Sequence, residues 1–258
     1  MQSNIFSGLF VGQNFVSLKE VDSTNTFLKN TLSNTKPLPE GTVIMAEAQL
    51  AGRGQQQNGW HAQPGKNLTF SILLNPGFLP ITQQFDLNRV ISLGVHNALK
   101  PILGEALRIK WPNDIYYDDY KLGGILIENI LQGEKIKHSI IGIGINVNQD
   151  EFPVHVPNPT SVKQILQSDY DLRALLSEIC GSIEAYYLKL KAGKVNEIRA
   201  DYLQILYQLN EWHNFKSKGE VFEGRVIGVT PEGLLIVDTK QGSKTFGLKE
   251  IEFLKISK

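Results

Sequence analysis

Three segments carry residues whose types and spacing suit chemistry: Ala51-Gly-Arg-Gly-Gln-Gln-Gln-Asn-Gly-Trp60, Lys110-Trp-Pro-Asn-Asp114 and Gly142-Ile-Gly-Ile-Asn146. Glycines 52, 54 and 59 let backbone N–H groups turn toward an anion and let a ligand come close. Arg53, set between two of them, can lay a planar fork on a carboxylate or a phosphate. Trp60 offers a flat apolar surface that would cover a base or fix a closed loop. Lys110 precedes a turn made by Pro112, Asn113 and Asp114, and a cation between two anions lowers the barrier to their meeting. Glycines inside a strand weaken it unless something approaches the backbone. At Gly142 and Gly144 that is either a nucleotide bonded by Asn146 or a crossing helix. Together the segments predict activation of a carboxylic acid by ATP.

Each segment has a blander reading. The glycine-rich stretch also suits a polar connection with Trp60 in the core, and Ser23-Thr-Asn25 suits a helix cap. Neither a Walker A loop nor a Rossmann fingerprint is present, and no Gly-x-Ser-x-Gly elbow argues for a hydrolase. The five histidines, at 61, 96, 138, 155 and 213, form no close pair in sequence, which speaks against a zinc site. Basic and acidic residues balance at 26 each, so the chain lacks the cationic excess of a nucleic-acid binder. A lone Cys180 excludes an internal disulfide, and its neighbours Leu175, Leu176, Ile179 and Ile183 mark it as a core thiol. No signal peptide or bilayer-spanning apolar run stands out, so a soluble, cytoplasmic protein with no membrane partner is expected.

The elements that must position these residues follow from periodicity. A helix should begin near Asp22-Ser23, with strands at Thr42–Glu47 and Asn67–Leu74 on either side of the glycine-rich segment. An amphipathic helix is expected from Phe85 to Leu99, and strands at Leu107–Trp111, Gly124–Leu131 and Ser139–Val147. Short turns between the last three favour antiparallel pairing, and the near-continuous apolar run of the third favours a central place. Pro153 to Pro159 reads as a loop, then helices run from about Asp171 to Lys191 and from Val195 to Tyr207. From Lys218 onward short strands and turns suggest a small barrel. The expected fold class is α+β: a mixed, largely antiparallel sheet with flanking helices, then a small β barrel.

In order and character these motifs resemble the biotin protein ligase family over essentially the whole chain. The match runs through Asp22-Ser-Thr-Asn25, Glu47-Ala-Gln-Leu-Ala-Gly-Arg-Gly54, Trp60, Lys110-Trp-Pro-Asn-Asp114, Lys121-Leu-Gly-Gly-Ile-Leu-Ile-Glu128 and Gly142-Ile-Gly-Ile-Asn-Val147. The resemblance implies a class II synthetase-like catalytic domain over residues 1–213 and an SH3-like module over 214–258. It implies that biotin and MgATP give biotinyl-5′-adenylate, which then biotinylates one lysine of a biotin carboxyl carrier protein. Ser23, Thr24, Asn25, Gln49, Gly52, Arg53, Gly54, Gln55 and Lys110 would hold biotin and its carboxylate. Arg53, Trp60, Lys110, Gly142, Gly144 and Asn146 would face ATP and the adenylate, with Arg53 and Lys110 catalytic. Where the family often continues with Arg-Arg-Gly, this chain has Gln55-Gln56-Gln57, which shifts phosphate neutralisation onto Arg53, Lys110 and Mg²⁺. Only a short lead precedes the match, so a ligase without a DNA-binding repressor region is expected. A lipoate or octanoate ligase of the same fold and a non-enzymatic biotin sensor are the alternatives. A homodimer through a sheet edge stays open, since no residue argues for it.

Overall fold

The structure is a computed structural model describing residues 6–34, 37–55 and 59–254. Its first part runs β1 (Phe15–Val21), α1 (Thr24–Asn34), β2 (Val43–Gln49), β3 (Leu68–Leu74), α2 (Gln84–Leu103), β4 (Leu107–Lys110), β5 (Asp114–Tyr117), β6 (Tyr120–Gln132), β7 (Lys135–Ile145), α3 (Val162–Leu166), α4 (Leu172–Lys191) and α5 (Val195–Gln204). These strands form one seven-stranded sheet in the order β1-β2-β3-β7-β6-β5-β4. β1 and β2 pair in parallel because helix α1 carries the chain back between them. The other neighbours are antiparallel. β7 lies at the centre, as its apolar run requires, and is extended by a tight turn in which Gly133 adopts a φ of 60°. β1 escaped the sequence pattern because it is a half-exposed edge, and β5 because it is only 4 residues long.

Alternation sorts the sheet into two chemically different faces. Phe70, Ile72, Ile141, Ile143 and Ile145 point to the main core, where α2 and α4 cover the sheet. Gly94 lets those helices touch: a Cβ there would lie 2.6 Å from Ile183 Cγ1 and 2.7 Å from its Cα. Helix α4 starts cleanly because the Asp171 carboxylate accepts from the N–H groups of Arg173 and Ala174. Cys180 is fully buried in this layer, and burial pushes its thiol pKa up, so it is a packing group. Among the described residues no helix is long and apolar enough to cross a membrane.

After α5 the chain builds β8 (Trp212–Ser217), β9 (Glu220–Val229), β10 (Leu235–Thr239), β11 (Gly242–Phe246) and β12 (Glu252–Phe253). They pair antiparallel in the order β11-β10-β9-β8-β12. The expected small β module is thus a five-stranded antiparallel sheet; among the described residues no ladder joins β11 to β12 to close a barrel. It is fastened to α2 by Arg89, which is 1% exposed. Arg89 bonds Asp86 at 2.6 Å and donates to the carbonyls of Val229, Thr230 and Pro231. Arg199 also pairs with Asp86, and Trp111 Nε1 donates to the Gly233 carbonyl at 3.0 Å. Burying these charges is tolerable because each is paired and hydrogen-bonded.

Candidate functional site

Register explains how distant residues meet. Directly opposed residues in neighbouring strands share a face. The ladders align Lys110 with Asp114, Asp114 with Gly124, Gly124 with Gly144, and Gly144 with Thr69. That row crosses five strands on the face turned away from the apolar core. A parallel row runs Leu126, Gly142, Ser71. With glycine at 124, 142 and 144 the sheet has almost no side chains there, and a cavity of about 1490 Å³ opens above it.

Trp60 packs on this glycine floor. A Cβ at Gly144 would overlap its indole ring, and one at Gly142 would stand 2.6 Å from Asn25 Oδ1. Gly144 therefore admits the Trp60 indole, while Gly142 makes room for Asn25 in the first turn of α1, so at Gly142 the crossing-helix reading holds. Trp60 is held by a hairpin of the glycine-rich segment: Arg53 bridges Gly59, and the Trp60 N–H donates to the Gly52 carbonyl at 2.9 Å. A Cβ at Gly52 would meet the Trp60 carbonyl and Gln49 Nε2, so Gly52 shapes this hairpin rather than lining the cavity. Gln56, Gln57 and Asn58, at the tip, lie outside the described residues.

At one end of the cavity, Ser23, Thr24 and Asn25 open helix α1 and are nearly inaccessible. The Ser23 carbonyl accepts from the Phe27 N–H, so the capping account holds for its backbone. The side chains do more. Gln49 Oε1 accepts from Thr24 N at 2.8 Å and from Thr24 Oγ1 at 3.2 Å. The Ser71 hydroxyl lies 2.7 Å from Thr24 Oγ1 and 2.6 Å from Asn25 Oδ1. Asn25 Nδ2 donates to Glu128 Oε2 at 2.8 Å, and the same carboxylate takes the Arg53 fork at 2.9 and 3.3 Å.

At the other end lie the cations. The Lys110 ammonium donates to the Tyr116 hydroxyl at 3.3 Å and faces the rings of Tyr116, Tyr207 and Phe253 at 4.7, 5.8 and 5.1 Å. Burial lowers the Lys110 pKa, against the opposing pull of Asp114. Tyr116 is pushed up by burial and then by Asp114, so its hydroxyl stays neutral as it accepts from Lys110. Lys121 Nζ pairs with Asp114 Oδ1 at 2.7 Å and also lines the cavity, as does Arg108.

Of the expected site residues, Ser23, Thr24, Asn25, Gln49, Arg53, Gly54, Gln55, Trp60, Lys110, Gly142 and Gly144 line this one cavity. Asn146 stands behind it: its Nδ2 donates to the Thr160 carbonyl at 3.0 Å, while its Oδ1 is buried without a partner. Trp60 Nε1 is likewise buried and unpartnered. Such atoms cost free energy unless a ligand completes them. Sequence reasoning passed over Ser71, Asp114, Glu128 and the charge on Lys121, although the last three lay inside quoted motifs. It also took the histidines as scattered, whereas His61 and His155 meet across 94 residues of sequence.

Among the described residues no group of three or more His, Cys, Asp or Glu side chains converges on a metal position. Of the carboxylates near the glycine floor, Asp114 pairs with Lys121 and Glu128 with Arg53, while Asp118, Asp119, Glu211 and Glu252 line the cavity farther out. A Mg²⁺ ion here would arrive on nucleotide phosphates rather than occupy a protein cage.

Comparison with known proteins agrees with this geometry. The family model described as the biotin/lipoate A/B protein ligase family matches residues 17–146. The bifunctional ligase/repressor BirA of Bacillus spizizenii is 30% identical, over 94% of this chain and 74% of its own length. The human biotin–protein ligase is 29% identical over 71% of this chain and 23% of its own. The biotin protein ligase of Aquifex aeolicus, solved with biotin and ATP, aligns with a TM-score of 0.78 at 29% identity, covering 95% of this chain and 100% of that one. From the glycine-floored cavity to these relatives, the observations agree that the chain belongs to the biotin/lipoate A/B protein ligase family.

Proposed function

We propose that this protein is an ATP-dependent biotin protein ligase. The biotin carboxylate attacks the α-phosphorus of ATP, forming a mixed anhydride and releasing pyrophosphate. The ε-amine of a carrier lysine then attacks the biotinyl carbonyl carbon, forming an amide and releasing AMP. The observation that carries this reading is the single cavity that joins a polar pocket, two lysines and a half-buried tryptophan over a floor of glycines.

The polar group of Ser23, Thr24, Asn25 and Gln49 suits the ureido head of biotin, which offers donors and acceptors together. Arg53, 43% exposed at its side chain, can leave Glu128 for an incoming carboxylate or phosphate. Lys110 and Lys121 flank Asp114 where negative charge builds as the two anions meet. Trp60, seated on Gly144, offers the adenine a flat apolar face, with its own Nε1 buried and unpartnered. Gly54 and Gln55 add backbone and amide donors near the phosphates. Mg²⁺ would lower the charge of the triphosphate.

The partner we propose is the biotin carboxyl carrier domain of a biotin-dependent carboxylase, met in the cytoplasm, where an unoxidised Cys180 fits. We assign catalysis to residues 1–213 and a supporting role to the β module of 214–258, whose Leu248, Ile251 and Phe253 reach the cavity wall. Isotopic pyrophosphate exchange tests the reading. Exchange driven by biotin, followed by labelling of a carrier domain, is expected. Exchange with lipoate instead would make it a lipoate ligase, and tight biotin binding with no exchange would make it a sensor.

A further inference from the structure

The fold brings two exposed imidazoles together where the sequence holds them far apart. His61 follows Trp60 on the segment leaving the glycine-rich hairpin; His155 sits on the proline-bounded segment 153–159, and both side chains are exposed. Their Nε2 atoms are 3.2 Å apart, and their ring centroids 4.9 Å apart at an interplanar angle of 79°. One N–H···N bond between solvated rings contributes little net stability. The same two separations, however, are those of neighbouring ligands on a single ion. Nitrogens about 2.05 Å from a tetrahedral metal stand about 3.3 Å from each other, with ring centroids about 5 Å apart.

We propose that His61 and His155 form a binding site for a late first-row divalent cation, Zn²⁺ being the probe, through their two Nε2 atoms. Imidazole is a favoured ligand for such ions, and exposure leaves an entry path and room for water in the remaining positions. Among the described residues no set of three His, Cys, Asp or Glu side chains encloses an ion. The site is therefore a weak, exchangeable clip and not a structural centre. Its place gives it a consequence: Gly59 and Trp60 on the His61 side and Pro157 and Asn158 on the His155 side all line the large cavity. An ion held between the histidines ties these two walls together and restrains the mouth of the site.

Untagged full-length protein, titrated with Zn²⁺ against a chromogenic chelator, tests this. One weakly held, exchangeable ion per chain is expected. His61→Ala and His155→Ala, with circular dichroism confirming the fold, should each weaken it at least tenfold. Hydrogen exchange supplies a second readout: Zn²⁺ should slow the amides near 59–61 and 154–158 in the wild type and in neither variant. Absence of binding, or binding equal in the wild type and both variants, overturns the proposal. Neither readout depends on adenylate formation, so a failure here is distinct from a failure of the ligase reading.

Discussion

The lysines and the tryptophan of the cavity make separable predictions. Lys110 spends desolvation energy to stay charged among Tyr116, Tyr207 and Phe253, with no ion pair among the described residues. A half-buried cation of that kind is worth keeping if it meets developing negative charge. Lys110→Ala should therefore lower the rate of biotin-dependent pyrophosphate exchange by on the order of a hundredfold. Lys121, whose ammonium pairs with Asp114 and lies on the same cavity wall, should cost at least as much when cut to alanine. Near-normal exchange in the Lys110 variant would return that residue to a packing role. Trp60 lies on the glycine floor, so Trp60→Ala should raise the apparent KM for ATP severalfold while biotin affinity, measured by calorimetry, stays close to wild type. Equal effects on both ligands would mean that Trp60 acts only by holding the hairpin.

Strands, not helices, set this site, and their register decides which glycines matter. Gly144 is the clearest case because a side chain there collides with the Trp60 ring. Gly144→Val should abolish ATP-dependent exchange while the sheet still forms, since valine favours a central strand. Far-ultraviolet circular dichroism and a melting curve near wild type, together with lost exchange, are the expected pair; intact exchange would show that the indole does not need this floor. The sequence announced these strands well, because alternation and continuous apolar runs report burial directly. β7 and its antiparallel pairing with β6 were legible for that reason, whereas the short β5 that separates β4 from β6 was not. The half-exposed β1 carries no such alternation. Residue pairs set by register were also hidden: nothing in a linear reading brings Ser71 to Asn25, Glu128 to Arg53 or His61 to His155. Motifs named the neighbourhood of the site, while ladder partners decided which side chains face into it.

At the scale of the molecule, two buried polar groups tie stability to conditions. His96 lies inside α2 with its Nε2 3.3 Å from the Leu107 carbonyl, and burial lowers its pKa below the ordinary imidazole value. The unfolded chain then binds a proton that the folded chain refuses, so stability is complete above about pH 6.5 and falls as pH drops below it. Unfolding midpoints in urea should decline through that range, and His96→Gln should flatten the decline; an unchanged slope would assign the acid sensitivity elsewhere. Arg89 is the other group. It joins Asp86 in helix α2 to three carbonyls of the β9–β10 connection, and so to the sheet whose residues 248 and 251–254 help wall the cavity. Removing one member of a buried charge cluster costs about 3–5 kcal/mol, because the remaining groups keep their desolvation penalty. Arg199 still pairs with Asp86, which places Arg89→Ala toward the lower end of that range. The lost bonds fall mainly between α2 and the second sheet, so the second sheet should loosen first. Denaturant unfolding of Arg89→Ala should thus split into two steps, with the exchange rate falling along the first. A single transition at the wild-type midpoint would show that hydrophobic packing alone seats the C-terminal sheet against α2.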